Sequence, residues 1–284
     1  KEGICLVISP LIALMKDQVE NLKAKGNKAM AITSAMSKKE IDIAFDNCVH
    51  GNFKFLYLSP ERLGSDLARA RIRKMKVNLI AVDEAHCISQ WGYDFRPSYI
   101  KIAELRELLP AVPVLAVTAT ATPEVAADIQ KKLLFKKDNL LRKSFERKNL
   151  AYVVLKEDDK MNRILKIAAK LKGSGIIYVR NRKKAQEIAD FLHRSKISAD
   201  FYHAGLQAQV RDDKQEAWIR NKKRVIVCTN AFGMGIDKPD VRFVVHLDLP
   251  DCIESYFQEA GRAGRDEKKS YAILLYNDSD KIEM

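Results

Sequence analysis

Short apolar runs alternate along the chain with amphipathic stretches whose apolar positions recur at helical spacing. The runs are apolar on both faces, as strands are when helices cover both sides of a parallel sheet. The alternation therefore predicts an α/β fold built on open, mostly parallel sheets. We predict strands at residues 4–9, 54–59, 77–83 and 113–118 in the first half and at 175–180, 198–202, 224–229, 242–248 and 271–276 in the second.

Local signals mark where two of the intervening helices begin. Ser37 followed by Glu40 makes a capping box, in which each residue bonds the backbone N–H of the other. Thr122, Pro123 and Glu124 supply a cap, a first-turn proline and a first-turn acid. Both signals fall between predicted strands and support the alternation.

A charged stretch with weak periodicity separates the two halves. The length of 284 residues suggests two domains, because domains commonly contain about 100–200 residues. We predict a first domain at residues 1–143, a linker at 144–150 and a second domain at 151–284. Two open α/β sheets joined in this way form a cleft, and such sheets bind ligands at the carboxyl ends of their strands.

The chain carries a formal net charge of +13, and the basic excess is spread over both halves. This charge favours a polyanionic partner, with nucleic acid as the first candidate, although basic proteins without such partners are common. No apolar run approaches the roughly 20 residues that a transmembrane helix needs, so we expect no membrane role.

The five cysteines are scattered along the chain and include no C-x-x-C pair. Their spacing argues against a zinc site, and their odd number argues against a disulfide framework. We therefore expect no zinc in this chain and a reduced, intracellular compartment.

An apolar strand at residues 77–83 ends abruptly in two adjacent carboxylates, Asp83 and Glu84. Phosphoryl transfer to water needs one carboxylate to hold Mg²⁺ and a second group to orient or deprotonate the water. A strand end would present both groups rigidly. A strand that simply leaves the core at a polar turn is the alternative, and two acids by themselves would favour it.

The segment that follows, residues 87–97, combines three aromatic residues and an arginine with glycine and proline. Trp91, Phe95 and Arg96 are costly to leave near water unless they meet a flat partner. Bases of single-stranded DNA offer that partner, and stacking contributes about 1–3 kcal/mol per base. Packing of Trp91 and Phe95 onto their own domain is the alternative. The position directly after the carboxylates favours an element that senses DNA.

Near the end of the chain, the segment Gln258-x-x-Gly261-Arg262-x-Gly264-Arg265 places two guanidinium groups beside glycines. Arginine is permanently charged, and its planar fork suits the γ-phosphate in its transition state. The glycines favour close approach to another surface. Pairing of one arginine with a surface acid is the alternative.

These segments resemble the motifs of RecQ-type helicases of superfamily two, in the family's order and over nearly the whole chain. Each motif is weak alone, but eight in order make chance agreement negligible. The matching segments are VISPLIALMKDQV (7–19), YLSPERL (57–63), DEAHCISQWGYDFRPSY (83–99), AVTATAT (116–122), IIYVRNR (176–182), YHAGL (202–206), TNAFGMGIDKPDVRFVVH (229–246) and SYFQEAGRAGRD (255–266).

The resemblance implies roles for individual residues. The implied catalytic residues are Asp83, Glu84, His86, Gln258, Arg262 and Arg265. The implied nucleotide contacts are Asp83, Glu84, Asp237, Arg262 and Arg265, with Mg²⁺ on Asp83 and Glu84 nearby. The implied DNA contacts are Ser9 through exposed backbone N–H groups, Arg62, Trp91, Phe95, Arg96, Arg180, His203 and Thr229. Thr118 and Thr120 would transmit the nucleotide state to the aromatic loop near His86, and helix-entry caps are the alternative for both.

The resemblance also implies two RecA-like domains and an activity. The implied activity is ATP-dependent 3′-to-5′ unwinding of DNA in recombination and repair, with ATP and Mg²⁺ as cofactors. The implied partners are single-stranded DNA and duplex DNA with a single-stranded tail, and no protein partner is indicated. We expect a monomer, in the cytoplasm or nucleoid of a bacterium or in the nucleus of a eukaryote.

The phosphate-binding pattern G-x-x-x-x-G-K-[ST] does not occur in the chain. The family places it upstream of Lys1, so we expect the chain to be part of a longer protein that carries the pattern. Two alternatives stay open, namely an ATPase-inactive DNA-binding fragment and an RNA helicase of the DEAH or DEAD groups. The segments at residues 87–91 and 233–241 speak against the RNA helicase.

Overall fold

The computed structural model describes residues 2–92, 94–233, 236 and 238–281. The chain divides into two compact units, Lys1–Arg142 (unit 1) and Lys143–Met284 (unit 2). Each unit is built on one parallel sheet.

In the part of unit 1 that the structure describes, five strands alternate with five helices. The strands are β1 (Ile4–Ile8), β2 (Ala29–Ile32), β3 (Phe55–Leu58), β4 (Val77–Val82) and β5 (Val114–Ala116), and the helices are α1 (Ile12–Ala24), α2 (Lys38–His50), α3 (Asp66–Lys74), α4 (Glu104–Leu108) and α5 (Pro123–Lys132). Three short 3₁₀-helices lie at Pro60–Gly64, Ala85–Ile88 and Pro97–Ile102. The strand order is β2-β3-β1-β4-β5, and all pairs are parallel.

The central strand β1 shows why helices cover both faces of this sheet. Leu6 and Ile8 belong to a core formed with α2, α3 and α5, whereas Val7 belongs to a second core formed with α1. Leu6 and Ile8 are fully buried, and complete burial of such a side chain stabilises by about 1.5–3 kcal/mol. Successive residues of a strand point to opposite faces, so an unbroken apolar run satisfies both cores.

The described residues of unit 2 repeat the scheme with six strands. The strands are β6 (Leu150–Lys156), β7 (Ser174–Tyr178), β8 (Ala199–Tyr202), β9 (Val225–Cys228), β10 (Val241–His246) and β11 (Ser270–Tyr276), and the helices are α6 (Lys160–Lys170), α7 (Arg182–Arg194), α8 (Ala208–Ile219) and α9 (Ile253–Ala260). A 3₁₀-helix lies at Ser279–Lys281. The strand order is β6-β11-β10-β7-β9-β8, again parallel throughout.

The predicted parallel α/β sheets with helices on both faces are thus confirmed in each unit. Two strands, β2 and β6, were not predicted from the sequence. β2 is only four residues long and reads AMAI, with none of the β-branched clustering that marks a strand except its final isoleucine. β6 lies at a sheet edge, directly after a charged stretch, and after the buried Leu150 it alternates half-buried with exposed residues.

The helices of both units are short. The longest among the described residues have 13 residues, whereas a bilayer requires about 20. None of the helices in the described ranges combines the length and apolar character needed to cross a membrane.

Trp218 of α8 is hydrogen-bonded to a glycine on β7 in the core of unit 2. Its side chain is fully buried, and its indole N–H donates to the carbonyl of Gly175 at 3.2 Å. A Cβ added at Gly175 would overlap the ring of the buried Phe243 on the neighbouring strand β10. Gly175 is therefore required by close packing.

We predict that Gly175→Ala destabilises unit 2 by about 1–3 kcal/mol, because an added methyl in a filled core forces its neighbours to move. Urea unfolding measures the change when it is followed by tryptophan fluorescence in a Trp91→Phe background, where Trp218 is the one remaining tryptophan. Gly205→Ala is the matched control, since its Cβ would meet only the mobile end of Arg182 at 2.9 Å and the His203 ring at 3.3 Å. Equal free energies of unfolding for the two variants would contradict the packing argument.

Candidate functional site

In unit 1, the predicted site residues lie just beyond the carboxyl ends of neighbouring strands. Ser9 follows β1, Asp83 follows β4, and Thr118 lies two residues beyond β5. These three strands are adjacent in the sheet and run in the same direction. The fold therefore brings together at one sheet edge residues that are far apart in sequence, as expected for open parallel sheets.

The Asp83 carboxylate is held by two donors. The hydroxyl of Ser9 lies 3.2 Å from Oδ2, and the backbone N–H of Glu84 lies 3.0 Å from Oδ1. The Asp83 carbonyl accepts a hydrogen bond from the hydroxyl of the buried Tyr99 at 2.9 Å. Burial raises the pKa of Asp83, and the bond from Ser9 opposes this rise. No lysine or arginine pairs with Asp83 in the described part of the chain.

The structure gives Ser9 a different place from the one that the sequence predicted. Its side chain is fully buried, and its backbone N–H donates to the carbonyl of Leu58 at 3.1 Å rather than facing solvent. The backbone N–H of Ser9 that was expected to reach a DNA phosphate is therefore used within unit 1, and the hydroxyl bonds Asp83. Ser9 instead orients the carboxylate of Asp83.

Glu84 adopts a left-handed backbone conformation, with φ of 47°. A residue with a side chain adopts this conformation at a cost of roughly 1–2 kcal/mol, and such residues cluster at functional sites. The turn starts the 3₁₀-helix Ala85–Ile88 directly after the strand. It brings Oε2 of Glu84 to 3.4 Å from Nδ1 of His86.

His86 connects Glu84 to the segment after β5. Its Nδ1 lies 2.9 Å from the hydroxyl oxygen of Thr118, and that oxygen accepts a hydrogen bond from the N–H of Thr120 at 3.4 Å. Burial lowers the pKa of His86 to about 4. The imidazole is therefore neutral at pH 7, and its contact with Glu84 is polar rather than an ion pair. Thr118 and Thr120 lie within this polar chain.

The aromatic loop, residues 87–97, begins inside unit 1 and then reaches solvent. Ile88 and Ser89 are fully buried, and the hydroxyl of Ser89 donates to Asp128 on α5 at 2.6 Å. Lys132 on the same helix donates to the carbonyl of Ile88 at 3.1 Å. Two residues further on, the Trp91 side chain is 79% exposed. Trp91 therefore does not pack onto its own unit, which is the arrangement that stacking on a base requires.

The second half of the aromatic loop is only partly exposed. Arg96 forms a two-point ion pair with Asp94, with nitrogen–oxygen distances of 2.8 and 3.1 Å. The ammonium group of Lys132 lies 5.7 Å from the ring centre of Phe95, within the range of a cation–π contact. The backbone N–H of Arg96 also donates to the carbonyl of Cys87 at 2.8 Å. The two ends of the loop are thus tied together.

Arg62 and Asp237 are two further residues of the predicted sites. Arg62 is half-buried in the 3₁₀-helix that follows β3, near the same edge of the sheet. Asp237 falls within the residue range of unit 2 but lies outside the described residues.

In unit 2, the two arginines of the Gly-Arg segment point in different directions. Arg262 is buried, donates to the carbonyl of Gly233, and adjoins a small cavity lined by Trp218 and Phe232. Arg265 is exposed, and its Nη1 donates to the carbonyl of Ile236 at 3.1 Å. Of the two arginines predicted to reach another surface, the structure thus presents Arg265 and turns Arg262 inward.

Gln258 lies on α9, half-buried and one turn before these arginines. The same helix is fixed to β10 by Glu259, whose carboxylate lies 2.8 Å from Nε2 of the buried His246. The His246 ring stacks on Tyr178 with 5.1 Å between ring centres. These contacts hold the helix from which Gln258 projects.

The predicted DNA-contacting residues of unit 2 also lie at one edge of its sheet. Arg180, His203 and Thr229 follow the adjacent strands β7, β8 and β9. Arg180 is exposed and pairs with Asp251 at 2.9 Å. Nδ1 of His203 has no hydrogen-bond partner within the described ranges, whereas Thr229 is buried.

Sequence reasoning missed several residues that support these sites. Tyr99 holds the backbone of Asp83 from 16 residues away, Asp128 anchors the aromatic loop, and Glu259 pairs with His246. Tyr99 lies within a segment that resembled the family, but no local spacing indicated its contact. Such partners become visible only when separate elements pack together.

Two family models match the chain in succession. The DEAD/DEAH box helicase model matches residues 1–129, and the helicase conserved C-terminal domain model matches residues 159–267. The probable ATP-dependent DNA helicase RecS of Bacillus subtilis (strain 168) is 45% identical over 280 residues, which cover 96% of this chain and 56% of RecS. The ATP-dependent DNA helicase RecQ of Pasteurella multocida (strain Pm70) is 44% identical over 280 residues, which cover 98% of this chain and 44% of that RecQ. The chain thus spans about half the length of these relatives.

The fold has a counterpart among solved structures. The structure of Saccharomyces cerevisiae Dbp5 bound to RNA and ADP BeF3 matches with a TM-score of 0.72 and 22% identity, covering 99% of this chain and 73% of Dbp5. At that identity the likeness concerns the fold alone, and it confirms that the two units are RecA-like. The two helicase family models and the identities of 45% and 44% to RecS and RecQ over nearly the whole chain show that the chain belongs to the RecQ-type helicases of superfamily two.

Proposed function

We propose that the chain is the motor core of an ATP-dependent DNA helicase that moves 3′ to 5′ along single-stranded DNA and serves recombination and repair. The observation that carries this proposal is one short connected path in unit 1. The carboxylates Asp83 and Glu84 lead through the buried 3₁₀-helix Ala85–Ile88 to the exposed Trp91. The names of the relatives RecS and RecQ support DNA as the substrate.

The surroundings of Asp83 fit a divalent cation. Its carboxylate is half-buried, its charge is not balanced by a lysine or arginine among the described residues, and it retains lone pairs beyond the two bonded donors. Carboxylate and hydroxyl oxygens are ligands that Mg²⁺ prefers. Mg²⁺, when bound with ATP, neutralises the charge that develops on the phosphate oxygens. Ser9 keeps the Asp83 carboxylate turned toward this site.

Glu84 is the candidate for the group that orients or deprotonates the attacking water. Its side chain is 29% exposed, so water reaches it, and its strained turn fixes it next to Asp83. His86 lies beside it as a neutral imidazole and hydrogen-bonds toward Thr118. A shift of Glu84 would therefore change the contacts of both His86 and the segment after β5.

The aromatic loop is the proposed element that reports bound DNA to these carboxylates. Trp91 offers an exposed ring for stacking, while Ser89 and the paired Arg96 hold the loop ends in place. Because the loop follows the 3₁₀-helix without a break, stacking on Trp91 can bias the position of His86 and Glu84. The exposed Arg180 and the half-buried His203 would contact the DNA backbone from unit 2.

Unit 2 would supply the positive charge for phosphoryl transfer. We assign the arginine finger to Arg265, because it is exposed whereas Arg262 is buried against Gly233. Gln258 and Asp237 would lie near the nucleotide, as the resemblance implies. Arginine fingers raise turnover by about 10³–10⁵-fold in phosphoryl-transfer enzymes.

The proposal is tested with the complete protein that contains this chain, in strand-displacement and ATPase assays. We expect DNA-stimulated hydrolysis and unwinding of a DNA duplex with a 3′ single-stranded tail, and little unwinding from a 5′ tail. Preference for an RNA duplex would instead indicate an RNA helicase. DNA binding without any hydrolysis would indicate an ATPase-inactive DNA-binding protein.

We predict that Glu84→Gln lowers the DNA-stimulated turnover of ATP by about 100-fold or more, the range expected for loss of a general base. The amide cannot take a proton, yet it preserves the size of the side chain. Binding of a fluorescent ATP analogue should stay within about twofold of the wild type, since the charge at Asp83 is retained. Glu20→Gln, an exposed residue of α1, is the control, and equal turnover in both variants would refute the role of Glu84.

We predict that Trp91→Ala weakens single-stranded DNA binding by about fivefold, the loss that corresponds to the lower end of the about 1–3 kcal/mol per stacked base, because backbone contacts supply most of the affinity. Stimulation of ATP hydrolysis at saturating DNA should fall much further, because the loop no longer reports the bound strand. Fluorescence anisotropy and ATPase titration measure the two effects. Ile253→Ala removes a similarly exposed apolar residue (81%) from unit 2 as the control. Parallel losses of affinity and stimulation in Trp91→Ala would count against a sensing role.

A further inference from the structure

The first residues of unit 2 lie against the segment that carries the two arginines. We call residues 145–149 the strap and residues 261–265 the arginine loop. Phe145, Arg147 and Asn149 alternate along the strap, and each contacts α9 or the arginine loop. The neighbouring Lys148 is exposed. One face of the strap is therefore directed at α9 and the loop.

Arg147 binds the arginine loop at two points. Its Nη1 donates to the carbonyl of Gly261 at 2.8 Å, and its Nη2 donates to the carbonyl of Gly264. These two carbonyls lie on either side of Arg262. A guanidinium presents its N–H groups in a rigid fork, so a single side chain fixes the separation of the two carbonyls. A lysine ammonium has no such fork.

Asn149 reinforces the same point of the loop. Its side-chain amide donates to the carbonyl of Gly264 at 2.7 Å and to the carbonyl of Lys268 at 3.0 Å. Gly264 has φ of +63°, and a Cβ there would lie 2.7 Å from the Asn149 amide nitrogen. A glycine is thus needed for the loop to approach the strap this closely.

The strap itself is firmly anchored. The carbonyl of Asn149 accepts a hydrogen bond from the N–H of Ser270 at 2.8 Å, where the pairing of β6 with β11 begins. The ring of Phe145 meets the ring of Phe257 on α9 edge to face, with 5.5 Å between the ring centres. The donors of Arg147 and Asn149 are therefore held by the sheet and by α9, independently of the loop that they bind.

We propose that Arg147 and Asn149 are positioning residues that set the conformation of the arginine loop and so present Arg265 for ATP hydrolysis. This inference rests on the proposed function, in which Arg265 is the arginine finger. The strap connects to Arg265 through one peptide unit, because the carbonyl of Gly264 that it binds belongs to the peptide whose nitrogen is that of Arg265. Neither Arg147 nor Asn149 reaches the phosphates in this role.

The strap's hold on the loop is tested on the 284-residue chain by amide hydrogen exchange. The variants are Arg147→Lys, which keeps the charge but loses the fork, and Asn149→Ala. We expect exchange at residues 261–266 to rise at least about tenfold in both variants, with the strands of unit 2 unchanged. Lys148→Ala removes a charge from the same strap and should leave exchange in the loop unchanged.

The consequence for hydrolysis is tested in the complete protein. Arg147→Lys and Asn149→Ala should lower kcat by about 10- to 100-fold, because displacing a catalytic group by about 1 Å lowers the rate by up to about that factor. KM for ATP should change less than about threefold, since an interaction made in the transition state leaves ground-state binding intact. Lys148→Ala should match the wild type in both constants.

The possible results distinguish the positioning role of the strap from the finger role of Arg265. Unchanged loop exchange in Arg147→Lys, or a rise spread over all of unit 2, would overturn the positioning role. A loosened loop with normal kcat, in a protein where Arg265→Ala abolishes hydrolysis, would overturn it as well. If Arg265→Ala itself hydrolyses ATP normally, the finger assignment of the proposed function fails, and the exchange measurement alone decides whether the strap holds the loop.

Discussion

Burial of the Asp83 carboxylate at the carboxyl end of β4 has to be offset by its surroundings, since an uncompensated buried charge is strongly destabilising. Ser9, at the end of β1, and the Glu84 N–H supply hydrogen bonds, and Tyr99 fixes the backbone from the other side. These contacts require the register in which β1 and β4 end together. The left-handed turn at Glu84, the buried 3₁₀-helix after it and the placement of the aromatic loop all follow from that junction.

In unit 2, a glycine-containing loop with two arginines has to be held in one conformation. Glycine at position 264 permits the positive φ and the close approach of Asn149, but glycine adds conformational freedom that the fold must remove. Arg147 and Asn149 restrain the loop from outside, while Arg262 restrains it from inside by binding the Gly233 carbonyl. One arginine of the pair thus serves the loop itself and leaves Arg265 exposed.

The RecA-like fold does not by itself select a nucleic acid, because Dbp5 shares it at 22% identity in a complex with RNA. Residues that differ between proteins of this fold must therefore select the nucleic acid that is bound. The aromatic loop is the most distinctive of these, because it joins an exposed Trp91 to the buried Ser89 and to the carboxylates through a continuous backbone. The two family models match one unit each, and the aromatic loop is the part that we propose to sense the strand.

Apolar periodicity determined the parallel α/β class, because strands buried on both faces must be apolar throughout. It failed at β2, which is too short and alanine-rich, and at the alternating edge strand β6. Short motifs indicated the carboxylates, the aromatic loop and the arginines, because those residues adjoin one another in sequence. Long-range contacts alone decided the rest: they buried Ser9 on Asp83, turned Arg262 inward and set Arg147 against Gly261, 114 residues away. A hydrogen bond between distant segments depends on how the elements pack, and packing leaves no trace in local spacing.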